Sequence, residues 1–120
     1  MRLLKAKDLA PALRVVNKAG IRDEIVRMAD KVKDGNEPLN TREIGIEVFF
    51  NILANAGDEA AEKAVFEFLA GPFEMEPEEI RELDLAELIE KVKEAVDLNK
   101  ETLQPFFGSL AGLIRKNLST

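Results

Sequence analysis

Apolar residues recur along this 120-residue chain at intervals of three and four, and nowhere do Val, Ile and Thr alternate with polar residues over a useful length. The first spacing gathers side chains on one stripe of an α-helix, whereas alternation would gather them on one face of a strand. The pattern predicts an all-α chain. It also leaves little choice of architecture, because amphipathic helices bury their stripes only against one another. The expectation is a compact single domain over residues 1–120, a bundle of five to seven helices.

The boundaries follow from punctuation. Asp8 is a candidate N-cap for a first helix, Pro11 falls in its first turn, and Gly20 stops it. Leu9, Leu13 and Val16 share its apolar face. A second helix runs from Ile21 to Lys33 with Ile21, Ile25, Met28 and Val32 in register, and the turn residues of Asp34 to Leu39 follow as a loop. Asn40 and Glu43 have the spacing of a capping box before a helix that is apolar on two faces, Ile46/Phe49/Phe50/Leu53 and Ile44/Val48/Ile52. Such a helix belongs in the middle of a bundle. Gly57 ends it, and Asp58 caps a helix to Ala70 whose stripe is Ala61, Ala64, Val65, Phe68 and Leu69, with Gly71-Pro72 as the stop. Pro77 opens a short helix. Asp84 caps another carrying Leu85, Leu88, Ile89, Val92 and Val96, and a last helix from about Lys100 to Asn117 has Leu103, Phe106, Phe107, Leu110, Ile114 and Leu118 on its apolar side. Gly108 and Gly112 inside that last pattern read as sites of close helix packing.

Composition narrows the chemistry. The chain has no Cys and no His, so thiol nucleophiles, thiolate metal sites, disulfides and the usual neutral-pH base are all missing. Tyr and Trp are absent too. The acidic run Glu74, Glu76, Glu78, Glu79, Glu82, Asp84 lacks the alternating ligands and turn glycine of a calcium loop, and acidic helix N-termini account for it. No glycine-rich phosphate loop follows a strand. The expectation is therefore no catalytic residue, no metal, no cofactor and no enzyme. A net charge of −6 disfavours nucleic acid. No apolar run reaches the roughly 18 residues of a membrane span, and the basic start lacks a signal-peptide core, so a cytoplasmic protein is expected.

All seven aromatic residues are Phe. Phe68, Phe106 and Phe107 lie on core stripes. Phe66 falls off its stripe, Phe73 follows Gly71-Pro72 in an expected loop, and Phe50 shares a helix that is apolar all round. Those three, Phe50, Phe66 and Phe73, are the candidate partner-binding residues, with a wider buried face as the alternative.

Two segments carry a family likeness. They are Leu9-Ala10-Pro11-Ala12-Leu13-Arg14-Val15-Val16-Asn17-Lys18 and the stretch Asp84 to Lys116, above all Phe106-Phe107-Gly108-Ser109-Leu110-Ala111-Gly112-Leu113-Ile114. In these the chain resembles the tail assembly chaperones of long-tailed bacteriophages, in the form found in phages and prophages of Gram-positive bacteria. The resemblance implies a protein that binds the tape measure protein, keeps its apolar helices soluble and recruits tail tube subunits. It implies residence in the bacterial host cytoplasm and departure before the virion is finished. Many such proteins are made in two lengths by a programmed frameshift, and this chain would be the shorter product. The likeness lies in diffuse hydrophobic spacings, and no partner-site signature carries over by position.

Three other readings compete. A helix-turn-helix regulator could place Arg14, Lys18, Arg22, Arg27, Lys31 and Lys33 around Gly20, although Asp23, Glu24, Asp30 and Asp34 interleave with them. A small enzyme or ligand-binding bundle would need a carboxylate-lined pocket with a raised pKa. An acidic helical adaptor of another pathway would share all of the composition. Charge, finally, is segregated: residues 1–20 hold five basic and one acidic side chain, whereas residues 58–97 hold fourteen acidic and four basic. These charges read as solvated helix faces, or as ends that complement each other within one molecule or between copies; pairing between copies would give homo-oligomers that dissociate as salt is raised. Sedimentation at high concentration in low salt checks this, and a strictly monomeric profile there would count against it.

Overall fold

The computed structural model describes residues 1–33, 46, 49 and 59–118, and within them the chain is all-α. A 3-10 turn, Ala6–Asp8, leads into α1, Leu9–Ala19, and α2 follows at Arg22–Lys33. The later helices are α3, Glu59–Phe73; α4, Pro77–Arg81; α5, Leu85–Leu98; and α6, Leu103–Leu118. The Cα radius of gyration is 13.6 Å, the value of a compact globule of this length. Most of the expected central helix Ile44–Ala54, with the preceding loop and Gly57-Asp58, lies outside the described residues. Two of its positions are described: Ile46 and Phe49 are helical, and Phe49 is buried in the core.

Packing follows the stripes. α2 lies chiefly on α6, α1 on α3, and α1 also reaches α6, so α1 is shared by both halves. Val15 and Val16 of α1, Ile21 and Ile25 at and in α2, Val65 and Leu69 of α3, and Leu110 and Ile114 of α6 are all buried in one cluster. At about 25 cal/mol per Å² of apolar area removed from water, burial of this kind is the main force holding the helices together. Phe106 joins α3 to α6, with its ring 6.4 Å from that of Phe68 and 6.5 Å from that of Phe107.

Local signals work where expected. Gly20 takes the left-handed conformation (φ 69°) and its N–H reaches Val16 O at 3.0 Å. Asp84 Oδ1 accepts the Glu87 N–H at 2.9 Å, capping α5. Pro77 occupies the first turn of α4, and Glu79 Oε1 accepts the Glu76 N–H at 3.1 Å.

Four expectations need correction. Gly71-Pro72 does not stop α3, which runs on to Phe73. Pro72 sits in the last turn, and the helix continues through it by one residue. The stop comes two residues later: Glu74 is left-handed (φ 57°), with Glu74 N–H bonded to Gly71 O at 3.1 Å and Met75 N–H to Ala70 O at 3.3 Å. That pair of bonds is a Schellman closure built without glycine. Leu85, expected on the α5 stripe, is 65% exposed because it occupies the first helical position, ahead of the turns that α5 presses on the core. Gly108 and Gly112 lie on the exposed side of α6, and a Cβ at either would meet no atom within 4 Å among the described residues. They therefore permit no close packing within the described fold. Asp8, the fourth, caps the 3-10 turn in place of α1 and belongs to the site described below.

A non-glycine residue held at positive φ costs about 1 kcal/mol or more. Glu74→Gly should therefore raise stability by about 0.5–1 kcal/mol after the extra freedom of glycine in the unfolded chain is deducted. A urea melt with unchanged slope and a higher midpoint is the expected record; an unchanged or lower midpoint would remove the strain argument.

Candidate functional site

The five residues before the 3-10 turn carry no helix of their own, and polar bonds fix them instead. Arg2 N–H donates to Pro72 O at 2.8 Å, pinning the chain start to the end of α3. Leu4 N–H donates to Asn99 Oδ1 at 2.7 Å. Asn99, 2% exposed, ends α5; its amide also donates to Ala95 O at 2.9 Å and, at 3.4 Å, to Arg2 O.

Asp8 supplies the charge. Arg2 clasps it with two parallel bonds, Nη1 to Oδ2 and Nη2 to Oδ1, both 2.8 Å, while Lys5 N–H donates to Oδ2 at 2.7 Å. A fork-on-carboxylate pair is the strongest form of side-chain ion pair. Burial alone would push the Asp8 carboxyl up. The Arg2 hydrogen bond, the Lys5 N–H and the positive charges of Arg2 and Lys7 outweigh burial and hold the carboxyl below its ordinary value. The same hydrogen bond raises the Arg2 guanidinium. Gly71 is the seat of this pair: a Cβ there would stand 2.6 Å from Arg2 Nη2 and 2.8 Å from Asp8 Oδ1. The carboxylate that reads in sequence as the α1 cap is thus spent on the chain start.

Beside these bonds lies an apolar cavity of about 110 Å³. Val15 comes from α1, Leu69 and Phe73 from α3, Val92, Ala95 and Val96 from α5, and Leu103, Phe106 and Phe107 from α6. Leu4 and Phe49 complete the apolar wall, and Asn99 is the polar residue among the described lining. Nothing in that lining suits proton transfer or ion binding; it suits an apolar group. A separate and more polar groove, about 450 Å³, lies between α2 and α6 beside Asp30, Gln104, Gly108 and Arg115, where Arg115 Nη2 bonds Asp30 Oδ1 at 2.7 Å.

The sequence candidates are scattered. Phe73 is 4% exposed, inside the cavity wall and in the last turn of α3, not in a loop. Phe66 is half-buried on α3, with the Arg81 guanidinium 6.0 Å from its ring centre. Phe50 lies outside the described residues. The structure therefore does not gather Phe66 and Phe73 into one exposed patch. Asn99 went unnoticed in sequence because its signal, a polar residue ending an apolar stripe, is what any helix end shows.

Among the described residues no group of three or more carboxylates is placed to share a metal ion, and no helix is long and apolar enough to cross a membrane. No protein-family profile matches this chain, and neither a curated protein nor a solved structure is significantly similar to it.

Because the Asp8 carboxyl titrates lower in the folded chain than in the unfolded one, its contribution to stability is full above the ordinary carboxylate pKa of about 4 and fades as pH falls through the lowered value. Asp8→Asn should cost about 1–3 kcal/mol at neutral pH, since it leaves a part-buried guanidinium unpaired. The gap between wild type and variant should narrow below about pH 4. Parallel urea melts at neutral and acid pH read both effects, and a gap independent of pH would show that the charge of Asp8 contributes nothing.

Proposed function

We propose that this chain is an assembly chaperone of a phage tail, which binds the tape measure protein, keeps it soluble and recruits tail tube subunits. It acts by protein binding in the bacterial host cytoplasm, as a non-enzyme without cofactor, and leaves before the virion is complete. One observation carries the reading: the two segments that carry the family likeness converge on the apolar cavity. Val15 comes from the first, Phe106 and Phe107 from the second. Val15 and these two rings thus help to wall a site fit for an apolar group.

The surface supports the same reading. A protein that holds an aggregation-prone helical client must itself stay soluble, and exposed acidic residues help most. Glu76, Glu78, Glu79, Glu82, Glu87 and Glu94 are all exposed along α4, α5 and the turns beside them. The helix-turn-helix alternative loses support from charge already committed: Arg14 faces Glu67 at 3.5 Å, Arg22 Nε bonds Asn17 Oδ1 at 2.8 Å and Arg27 lies 4.0 Å from Glu24.

The test is co-expression of the tagged chain with the proteins encoded immediately downstream, followed by pull-down. Recovery of a very long, helix-rich protein that is insoluble alone is expected. A well-folded bait that recovers nothing would return the chain to an acidic helical adaptor of another pathway.

A further inference from the structure

Five of the chain's seven phenylalanines, its only aromatic residues, come together around the apolar cavity: Phe49, Phe68, Phe73, Phe106 and Phe107. They come from three separate stretches of sequence, so no local pattern gathers them. Their rings are arranged as aromatic groups pack around one another. Phe68 lies tilted at 33° to Phe106, and Phe107 stands edge-on to Phe106 at 66°. Such pairs are favoured beyond the area they bury, because a ring carries a positive edge and a negative face.

The cavity also has the size and the access for one more ring. An apolar cavity of about 150 Å³ engineered into another protein stays dry and binds benzene. This one measures about 110 Å³ and is open to solvent on one side, so entry requires no element to move. The lining offers a polar group nothing to bond. Asn99 is the polar residue among the described lining, and both ends of its amide are engaged, Oδ1 by the Leu4 N–H at 2.7 Å and Nδ2 by Ala95 O at 2.9 Å. A hydroxyl, amine or carboxylate placed here would lose its water and gain no partner.

We propose that this cavity is a binding site for one uncharged, phenyl-sized aromatic group, held as a sixth ring among the five phenylalanines. The group is selected by shape and by aromatic contact, without a hydrogen bond. A free small aromatic molecule and the phenylalanine side chain of a partner present the same chemistry to it. The proposal rests on the reading of the cavity as the place where an apolar group is held, and it deepens that reading. The two fail separately, because binding of a free ring needs no client and recovery of a client needs no free ring.

The probe is toluene, titrated into the full chain and followed by the methyl NMR signals of Val92, Val96 and Leu103, which line the cavity. Saturable shifts of those signals are expected. Toluene should bind about fivefold more tightly than methylcyclohexane, a difference of about 1 kcal/mol from the aromatic contacts. It should bind at least about tenfold more tightly than phenol, whose hydroxyl finds no partner. Ala95→Leu enlarges a half-buried residue of the lining and should abolish binding with far-UV helicity unchanged. No saturable shift, equal affinity for toluene and methylcyclohexane, or binding that survives Ala95→Leu in a helical variant would overturn the proposal. The three ligands on the unaltered chain decide the matter if the variant does not fold. A synthetic helical peptide with one phenylalanine, and its alanine counterpart, separate the sources of the ring. Displacement of toluene by the phenylalanine peptide alone assigns the ring to a partner chain, and toluene binding that neither peptide displaces assigns it to a free molecule. Equal displacement by both peptides would overturn the aromatic site.

Discussion

One amide side chain joins the two ends of this fold. Asn99 closes α5 through Ala95 O, receives Leu4 N–H on its oxygen and reaches Arg2 O with its nitrogen, while its backbone carbonyl accepts from both Thr102 and Leu103 N–H at 2.8 Å. Those last two bonds set the turn that aims α6 back across the core. A side chain this buried must satisfy its polar atoms inside the protein. It does so by binding the chain start, and no buried side-chain nitrogen or oxygen among the described residues lacks a partner. The direction of α6, the end of α5 and the position of the first five residues are consequently one structural decision.

The Arg2–Asp8 pair shows how local and tertiary demands trade. A carboxylate at position 8 could have capped α1 and contributed about 1 kcal/mol there. Instead α1 begins by running on from the 3-10 turn, and its N-cap residue makes no side-chain capping bond. The carboxylate is worth more where a fork and a backbone N–H both reach it in a site shielded from water. The exchange has a second cost at Gly71, and the product of both is a segment without secondary structure held firmly against helices. By comparison the exposed pairs Arg81–Glu62 and Lys93–Glu90, at 3.6 and 3.9 Å, contribute little.

How much of this the sequence discloses depends on the range of the interaction. Stripes and caps are local, and they read correctly: Leu88, Val92 and Val96 face inward, Gly20 turns left-handed and Asp84 caps α5. Gly71-Pro72 misleads because both residues usually break helices, and only the seat needed by Arg2, 69 positions away, explains the glycine. Phe73 misleads for the same reason: a residue after a presumed stop reads as loop, while the true stop is a glutamate with no sequence signal. The cavity could not have been read at all, since its walls come from four described helices and the chain start, brought together from both ends and the middle of the chain. What sequence did supply is the apolar stripes of α5 and α6, whose Val92, Val96, Leu103, Phe106 and Phe107 line part of it.

The core and the cavity draw on the same helices. Ala12 and Val16 of α1 and Leu110, Ala111 and Ile114 of α6 are buried in the core cluster, while Val15 of α1 and the adjacent pair Phe106 and Phe107 of α6 border the apolar cavity. A void among apolar side chains forfeits dispersion contacts and is selected against when stability is all that matters. Its walls include the largest apolar side chains of α6, which could have closed it.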